Sequence, residues 1–198
     1  AFAHVFLLRR YGYFWDINSD YGPIIRLEPS ALSNNNQGRS SVKESYEKIF
    51  EDLDYAIKYG PEFYSRYRGC ATTAKAFKAD LLMNRGAEGD YDEAIRLADE
   101  VIGSSEFGLE ATYGDIFTNG YNSKELMFTR HLKSVPTMMA NVGSLLKLFG
   151  GGTYKPSETF LEILTPEDKR YAVTFDSVMI GNGTLAKKTL VWKKHYIT

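Results

Sequence analysis

The sequence predicts a mainly α-helical fold, built from paired helices, long loops and one small β-hairpin. Helical spacing of apolar residues marks residues 41–59, and two adjacent helical segments follow in residues 69–103. Residues 171–196 are instead rich in β-branched and aromatic residues around a glycine turn. With 198 residues, of which 43% are apolar and 14% aromatic, the chain has enough material to bury a core. We therefore expect a globular protein rather than a disordered one.

The first eleven residues have the pattern of a helix interior. Phe2, Val5 and Phe6 fall on one side, and two arginines lie near the end, where cations interact favourably with the helix dipole. No helix-start signal precedes this pattern, and the chain does not begin with Met. We therefore expect residues 1–198 to be a piece of a longer protein. The aromatic, turn-rich residues 12–36 should form a long irregular connection.

Residues 41–59 carry the clearest helical pattern. Ser41 and Glu44 match a capping box, in which each side chain accepts a hydrogen bond from a free amide at the start of a helix. Gly60 and Pro61 end the pattern. The apolar positions with helical spacing are Val42, Tyr46, Ile49, Phe50, Leu53, Ala56 and Ile57.

Residues 69–103 predict two antiparallel helices that meet through alanines. The first is apolar over more than one stripe, so burial on two sides is expected, whereas the second has one apolar face. Gly86 and Gly89 separate the two helices, and Asp90 with Glu93 matches a second capping box. The expected buried positions are Cys70, Ala74, Ala76, Phe77, Ala79, Leu81 and Met83 in the first helix, and Tyr91, Ala94, Ile95, Ala98, Val101 and Ile102 in the second.

The second half of the chain has weaker patterns. Residues 113–117 indicate a short helical turn, and residues 125–132 a strand or extended segment. Residues 134–152 are apolar enough for either a helix or a loop that packs on the scaffold. A Pro-Ser pair begins a short helix that ends near residue 164. A Gly-Asn-Gly turn then predicts a β-hairpin excursion in residues 171–196.

The helical units each leave an apolar face that a neighbouring unit must cover, as repeat units do. A tetratricopeptide-like stack satisfies this requirement. We expect residues 41–103 to form the tetratricopeptide-like helical core of a single domain over residues 1–198.

Composition and spacing exclude several classes of function. Lys and Arg number 24 against 25 for Asp and Glu, so no overall field attracts nucleic acid or an anionic membrane. The single cysteine, Cys70, cannot form an internal disulfide and is expected to be a packed thiol. His4, His131 and His195 are far apart and lack metal-ligand spacing. The sequence therefore predicts no enzyme, no metal and no cofactor.

Several motifs occur in a recognisable order along almost the whole chain. They are Leu8-Arg9-Arg10-Tyr11-Gly12, Tyr21-Gly22-Pro23-Ile24-Ile25, Arg39-Ser40-Ser41-Val42, Gly89-Asp90-Tyr91-Asp92-Glu93-Ala94, Tyr113-Gly114-Asp115-Ile116-Phe117, Asn122-Ser123-Lys124-Glu125-Leu126, Pro156-Ser157 and Asp168-Lys169-Arg170. This order resembles the SusD/RagB family, the surface-exposed nutrient-binding lipoproteins of Bacteroidetes outer membranes. One departure is the insertion at residues 13–21, where the family usually places Gly-Pro directly after the helix. The family's lipidated cysteine and C-terminal helices have no counterpart here, so the resemblance implies a central fragment.

This resemblance implies a non-catalytic role at the cell surface. The protein would bind an oligosaccharide or related nutrient and deliver it to a SusC-type TonB-dependent transporter. A lipid anchor outside these residues would hold it at the outer membrane. The alternative is a helical-repeat adaptor that binds a protein or peptide segment in its concave face. Exposed loop aromatics beside Asn and Asp would favour sugar, and a groove of apolar and charged helix residues would favour peptide.

Aromatic and polar side chains are densest in the loop at residues 13–21. Apolar faces of sugar rings stack on aromatic side chains, while neighbouring polar groups bond the sugar hydroxyls. The competing interpretation is that these aromatics only pack the loop against the helices. The candidate ligand-binding residues are Tyr13, Trp15, Asp16, Asn18, Tyr21, Tyr121, Asn122, His131, Asn141 and Tyr154.

Overall fold

The computed structural model describes residues 1–129, 153–182, 184 and 186–193. The described residues are mainly helical with one two-stranded antiparallel hairpin, so the predicted fold class is confirmed. The chain divides into two compact units, Ala1–Glu106 and Phe107–Thr198, called unit 1 and unit 2 below. The single-domain assignment stays a prediction. Residues 134–152, predicted as a helix or a packed loop, lie outside the described residues.

Unit 1 consists of helices at the positions that the sequence predicts. Lys75, early in α3 (Ala71–Arg85), pairs with Glu100 near the end of α4 (Asp90–Ile102) at 2.7 Å, and Arg85 at the end of α3 pairs with Asp90 at the start of α4. Because residue numbers rise along one helix as they fall along the other, the predicted antiparallel pair is confirmed. The helices are α1 (Phe2–Tyr11), α2 (Val42–Tyr59), α3 (Ala71–Arg85) and α4 (Asp90–Ile102).

The first turn of α2 has the predicted capping box. The Ser41 hydroxyl accepts a hydrogen bond from the Glu44 amide at 3.1 Å, and the Glu44 carboxylate accepts one from the Ser41 amide at 2.8 Å. The bond from the Ser41 amide lowers the pKa of Glu44. Two of the free amides that open the helix are thereby satisfied.

The core of unit 1 lies among these four helices. In α1, Val5 and Leu8 are 2% and 0% exposed, whereas Phe2 and Phe6, which the sequence places on the same side as Val5, are 61% and 52% exposed. The buried face of α1 therefore includes Val5 but turns away from Phe2 and Phe6. The buried cluster contains Val5, Leu8, Val42, Tyr46, Ile49, Phe50, Leu53, Ala74, Ala79, Leu81, Leu82, Ala94 and Leu97.

The α3–α4 pair buries fewer apolar residues than the sequence predicts. Leu82 and Leu97 are buried, although neither was among the predicted positions. One apolar stripe of the pair faces the core. The other, which includes Met83, Tyr91, Ile95 and Ile102, lines an open groove of ≈ 380 Å³, called the apolar groove below. Side chains predicted to be buried but exposed here are Met83, Tyr91, Ile95 and Ile102.

The second predicted capping box, Asp90 with Glu93, is wrong. Gly89, with φ of 79°, is the N-cap of α4, and no side chain caps it. The Asp90 side chain is only 4% exposed and accepts hydrogen bonds from Arg85 Nε and from the Ala87 amide, both at 2.8 Å. The carboxylate therefore fixes the turn before the helix instead of capping the helix.

The single cysteine is packed, as predicted, but it occupies the N-cap of α3. Cys70 is 4% exposed and its sulfur accepts a hydrogen bond from the Thr73 amide at 3.4 Å. The thiol thus satisfies one free amide of α3.

In unit 2 the predicted hairpin is confirmed, but it begins at Phe175 because residues 171–174 form a helical turn. Phe175 pairs with Trp192 in the register, and their ring centroids lie 5.0 Å apart. Residues 125–129 belong to neither a helix nor a strand, and the rest of that predicted segment lies outside the described residues. The elements are α5 (Tyr113–Asn119), a 3-10 helix (Gly120–Asn122), α6 (Glu158–Ile163), α7 (Tyr171–Thr174), β1 (Phe175–Ile180) and β2 (Lys187–Trp192).

Candidate functional site

Three exposed aromatic rings lie together in the loop between α1 and α2. Tyr13 stacks on Trp15 with centroids 5.2 Å apart and planes at 19°, and it contacts Tyr21 at 5.2 Å and 41°. The exposed fractions of Tyr13, Trp15 and Tyr21 are 50%, 66% and 56%. These three residues are called the aromatic platform below. Their exposure argues against the interpretation that they only pack the loop onto the helices.

Backbone hydrogen bonds give the platform loop a fixed conformation. The Tyr13 amide donates to the Tyr21 carbonyl at 3.0 Å and closes the loop. Inside it, the Asp16 amide donates to the Tyr13 carbonyl at 2.9 Å, and the Ser19 amide to the Asp16 carbonyl at 3.1 Å. The rings are thus held by short-range turns, so a ligand would not have to order this loop on binding.

The loop is also attached to the most buried helix of unit 1. The Ser19 carbonyl accepts the Val42 amide at 2.8 Å, which satisfies a free amide at the start of α2. The Tyr46 hydroxyl donates to the Phe14 carbonyl at 2.9 Å, and burial raises the pKa of Tyr46. Phe14 packs against the core and meets Trp15 edge-on at 5.2 Å. The platform therefore rests on α2.

Arg39 completes the site, and the sequence reasoning missed it as a site residue. Its guanidinium donates to the carbonyls of Gly22 at 2.7 Å, Tyr21 at 3.3 Å and Tyr11. Its Cζ lies 5.6 Å from the Tyr21 ring centroid. The one sequence feature that pointed to Arg39 was the Arg-Ser-Ser-Val motif. That motif contributed to the family resemblance but did not indicate a role in the site.

Two predicted polar residues lie beside the platform. The Asp16 carboxylate accepts a hydrogen bond from the backbone amide of Asn18 at 3.1 Å, and both side chains are exposed. The structure therefore brings Asp16 and Asn18 together with the three aromatic residues in one loop. They can accept and donate hydrogen bonds next to the exposed rings.

The other candidate residues do not lie in unit 1. Tyr121 and Tyr154, 51% and 53% exposed, and the exposed Asn122 belong to unit 2. The remaining two, His131 and Asn141, lie outside the described residues. Ligand binding by these five residues stays a prediction.

Neither a metal-ligand cluster nor, at Asp168, the raised pKa of a general acid is found among the described residues. No cluster of three or more His, Cys, Asp or Glu side chains there could hold a metal ion. The Asp168 carboxylate accepts hydrogen bonds from Arg170, which lowers its pKa to about 2. A glycosidase needs a carboxyl group whose pKa is raised so that it stays protonated, and Asp168 has the opposite shift.

These features define the class of protein. It is a helical scaffold that presents an exposed, preorganised aromatic surface on one loop. Comparison with solved structures shows that the scaffold is SusD-like. The chain superposes on a SusD superfamily protein from Bacteroides thetaiotaomicron VPI-5482 with a TM-score of 0.72 and 22% identity, covering 92% of this chain and 42% of that one. The predicted resemblance is therefore confirmed at the level of the fold.

Two further solved structures share the fold. A SusD superfamily protein from Bacteroides fragilis NCTC 9343 matches with a TM-score of 0.67 and 16% identity over 98% of this chain and 46% of that chain. A structure solved with xylogluco-oligosaccharide matches with a TM-score of 0.51 and 24% identity over 64% of this chain and 26% of that chain. The present chain thus spans less than half the length of each of these three structures. No family sequence model and no curated protein sequence matches it significantly.

Over the described residues, none of the helices is long and apolar enough to cross a membrane.

Proposed function

We propose that this chain is part of a non-catalytic glycan-binding protein of the SusD type, and that the aromatic platform contacts the sugar. The observation that carries the proposal is the exposure of Tyr13, Trp15 and Tyr21 on a loop fixed by its own backbone bonds. Ordered aromatic rings that remain half exposed are available to a ligand.

The chemistry of the platform suits a saccharide. One face of a pyranose ring is apolar and stacks on an aromatic ring, and an aromatic contact contributes about 1 kcal/mol beyond the area it buries. Asp16 and Asn18 offer acceptors and donors for the hydroxyls at the edge of the sugar. Trp15 has the largest exposed ring system of the three and should carry most of the contact.

The comparisons support this proposal through the shared fold. One neighbour was solved with xylogluco-oligosaccharide, which makes a glycan the first ligand class to test. We further propose that the full-length protein is held at the outer membrane by a lipid anchor, and that it delivers its ligand to a SusC-type TonB-dependent transporter. Tyr121, Asn122, His131, Asn141 and Tyr154 stay proposed ligand-binding residues, independently of the platform.

Replacing Trp15 with alanine is expected to weaken glycan binding about tenfold, and Tyr21→Ala several-fold, since a lost stacking contact of about 1.4 kcal/mol corresponds to a factor of ten. A glycan array screened with the unaltered protein identifies the ligand, and calorimetry then compares the variants.

Tyr64→Ala is the matched control, because Tyr64 is 81% exposed in unit 1 and lies outside the platform. Retention of no glycan by the unaltered protein, or equal affinities for all three variants, would contradict the proposal.

The apolar groove favours a second candidate function, that of an adaptor for a helical peptide. Ile95 and Ile102 are 61% and 79% exposed, and two carboxylates on the same helix, Asp92 and Asp99, are also exposed. An amphipathic helix with Leu on one face and Lys at its flanks would match this pattern.

The adaptor function predicts that a labelled Leu-Lys helical peptide binds saturably, and that high salt weakens the complex. Fluorescence anisotropy with Ile95→Asp tests the groove directly, because a charge at that position opposes apolar contact. The absence of saturable binding, or an affinity unchanged by Ile95→Asp, rules the adaptor out.

A further inference from the structure

The exposed face of α2 carries a pair of tyrosines that the core does not use. Tyr55 and Tyr59 are one helical turn apart, and their ring centroids lie 4.7 Å from each other with planes at 47°. They are 68% and 61% exposed, whereas Ile49 and Leu53 on the core side of α2 are buried. These two residues are called the tyrosine pair below.

Charged side chains surround the tyrosine pair and largely neutralise one another. Lys48 pairs with Glu51 at 2.9 Å, and the Lys58 ammonium lies 4.9 Å from the Tyr59 ring centroid. Another carboxylate beside the pair, that of Asp54, binds an ammonium of α3 at 2.6 Å. Together the side chains line a cleft of ≈ 410 Å³ that offers hydrogen-bonding groups without a dominant charge.

We infer that the tyrosine pair is a second saccharide-binding site, separate from the aromatic platform and selective for neutral sugars. The two tilted rings form an open angle on which the apolar face of a pyranose can stack. The Glu51 carboxylate, whose side chain is 71% exposed, and the Lys58 ammonium can bond the sugar hydroxyls. The Lys48 ammonium and the Asp54 carboxylate are already paired, and the Lys58 ammonium lies against the Tyr59 ring, so a strongly charged sugar gains little here, whereas a neutral one loses no ion pair by binding.

The tyrosine pair is too far from the platform for one small sugar to occupy both. The platform loop is bonded to Tyr46, and from Tyr46 the helix rises by about 14 Å to Tyr55 and about 20 Å to Tyr59, at about 1.5 Å per residue. A polysaccharide presents many identical units, so a weak second contact raises its retention by avidity. The pair should therefore matter for polymers and leave binding of short oligosaccharides at the platform unchanged. Because this assignment rests on the proposed function, its test must separate the two sites.

Native gels containing xyloglucan, amylopectin or galactomannan measure retention of the protein by neutral polymers, and polygalacturonate serves as the anionic probe. The variants are Tyr55→Ala/Tyr59→Ala, Trp15→Ala, the combination of all three changes, and Tyr64→Ala as the control. Exposed Tyr→Ala changes in a helix raise helix propensity, and circular dichroism checks that each variant is folded. Tyr55→Phe/Tyr59→Phe keeps the rings and should behave like the unaltered protein.

We expect Tyr55→Ala/Tyr59→Ala to reduce retention by a neutral polymer about fivefold, independently of salt, and the combined variant to lose it completely. Calorimetry with a disaccharide of the same glycan should give the unaltered affinity for the tyrosine double variant. Unchanged polymer retention by that variant, while Trp15→Ala loses it, overturns the second site and leaves the proposed function intact. Loss of polymer retention in Tyr55→Ala/Tyr59→Ala but not in Trp15→Ala supports the second site and counts against the platform. The inference fails if no neutral polymer retains the unaltered protein. It also fails if polygalacturonate, and not a neutral polymer, retains the protein through the tyrosine pair.

Discussion

Replacing Asp90 with alanine is expected to lower the free energy of unfolding by about 2 kcal/mol, because a buried carboxylate and its hydrogen bonds are removed and Arg85, whose side chain is 26% exposed, loses its partner. The Asp90 side chain is 4% exposed, and its carboxylate accepts hydrogen bonds from Arg85 and from the Ala87 amide. Arg85 also lies 4.5 Å from the Phe50 ring centroid, so the pair connects the α3–α4 turn with α2. Urea denaturation at pH 7 measures the loss.

Asp92→Ala is the matched control for Asp90→Ala. Asp92 lies in the same first turn and is exposed, so its removal changes the interaction with the helix dipole but breaks no buried pair. Its effect should stay within about 0.5 kcal/mol. Equal losses for the two variants would show that the buried pair contributes nothing.

The stabilisation by Asp90 should depend on pH in a defined direction. The hydrogen bond from Arg85, followed by that from the Ala87 amide, lowers the pKa of Asp90 below its ordinary value of 3.8. A carboxylate with a lowered folded-state pKa stabilises the protein fully above the unfolded-state pKa, and the effect is lost as pH falls through the folded-state value. The difference between the unaltered protein and Asp90→Ala should therefore shrink below about pH 4. A difference that grows under acidic conditions would contradict this assignment.

Gly22→Ala is expected to lower the free energy of unfolding by about 3 kcal/mol and to weaken glycan binding at the same time. A Cβ atom at position 22 would lie 2.6 Å from the carbonyl oxygens of Ser40 and Ser41 and from the Ser45 hydroxyl. The backbone oxygens belong to the start of α2 and cannot move aside without disturbing it. The chain at Gly22 must then shift, and Tyr21 of the platform shifts with it. Thermal denaturation and calorimetry with the array-selected glycan measure the two effects.

Gly38→Ala provides the control, since a Cβ atom there meets no heavy atom within 4 Å. It lies in the segment that runs back towards α2 and should change both stability and affinity little. A Gly22→Ala protein with unaltered stability would show that the chain relaxes freely at this point. Full glycan affinity in a destabilised Gly22→Ala variant would show that the position of Tyr21 is not coupled to this contact.

Local chemistry explains which predictions from the sequence are confirmed. The Ser41 and Glu44 box involves residues three apart, and both bonds form as the pattern requires. The same pattern fails at Asp90, because Gly86 and Gly89 adopt positive φ and turn the chain so that Arg85 reaches the carboxylate. A capping pattern does not reveal a competing partner that only the turn geometry brings close.

The burial of helix faces and the full composition of the site depend on longer-range contacts. Periodicity identifies Ile95 as a residue of an apolar face. It does not determine which of two apolar stripes a neighbouring helix covers. In the platform, composition alone identified the aromatic and polar residues at 13–21. Arg39, however, is distant in sequence and reaches Tyr21 only because the chain folds back before α2. The tyrosine pair was not predicted, since two tyrosines on a charged helix face resemble an ordinary solvated surface.

The hydrogen bond between the Tyr13 amide and the Tyr21 carbonyl closes a loop in which the exposed residues 15–18 form an exchangeable cassette, while the core-packed Phe14 and the buried Ser19 anchor the loop. The two ends of the loop lie side by side, and the carbonyl groups of Phe14 and Ser19 accept its hydrogen bonds from α2, so no side chain of the cassette is needed for them. A segment anchored in this way tolerates changes in sequence and length, because loop closure depends only weakly on length. Under the proposed function, ligand preference changes by substitution within this cassette while the helices beneath it keep their packing.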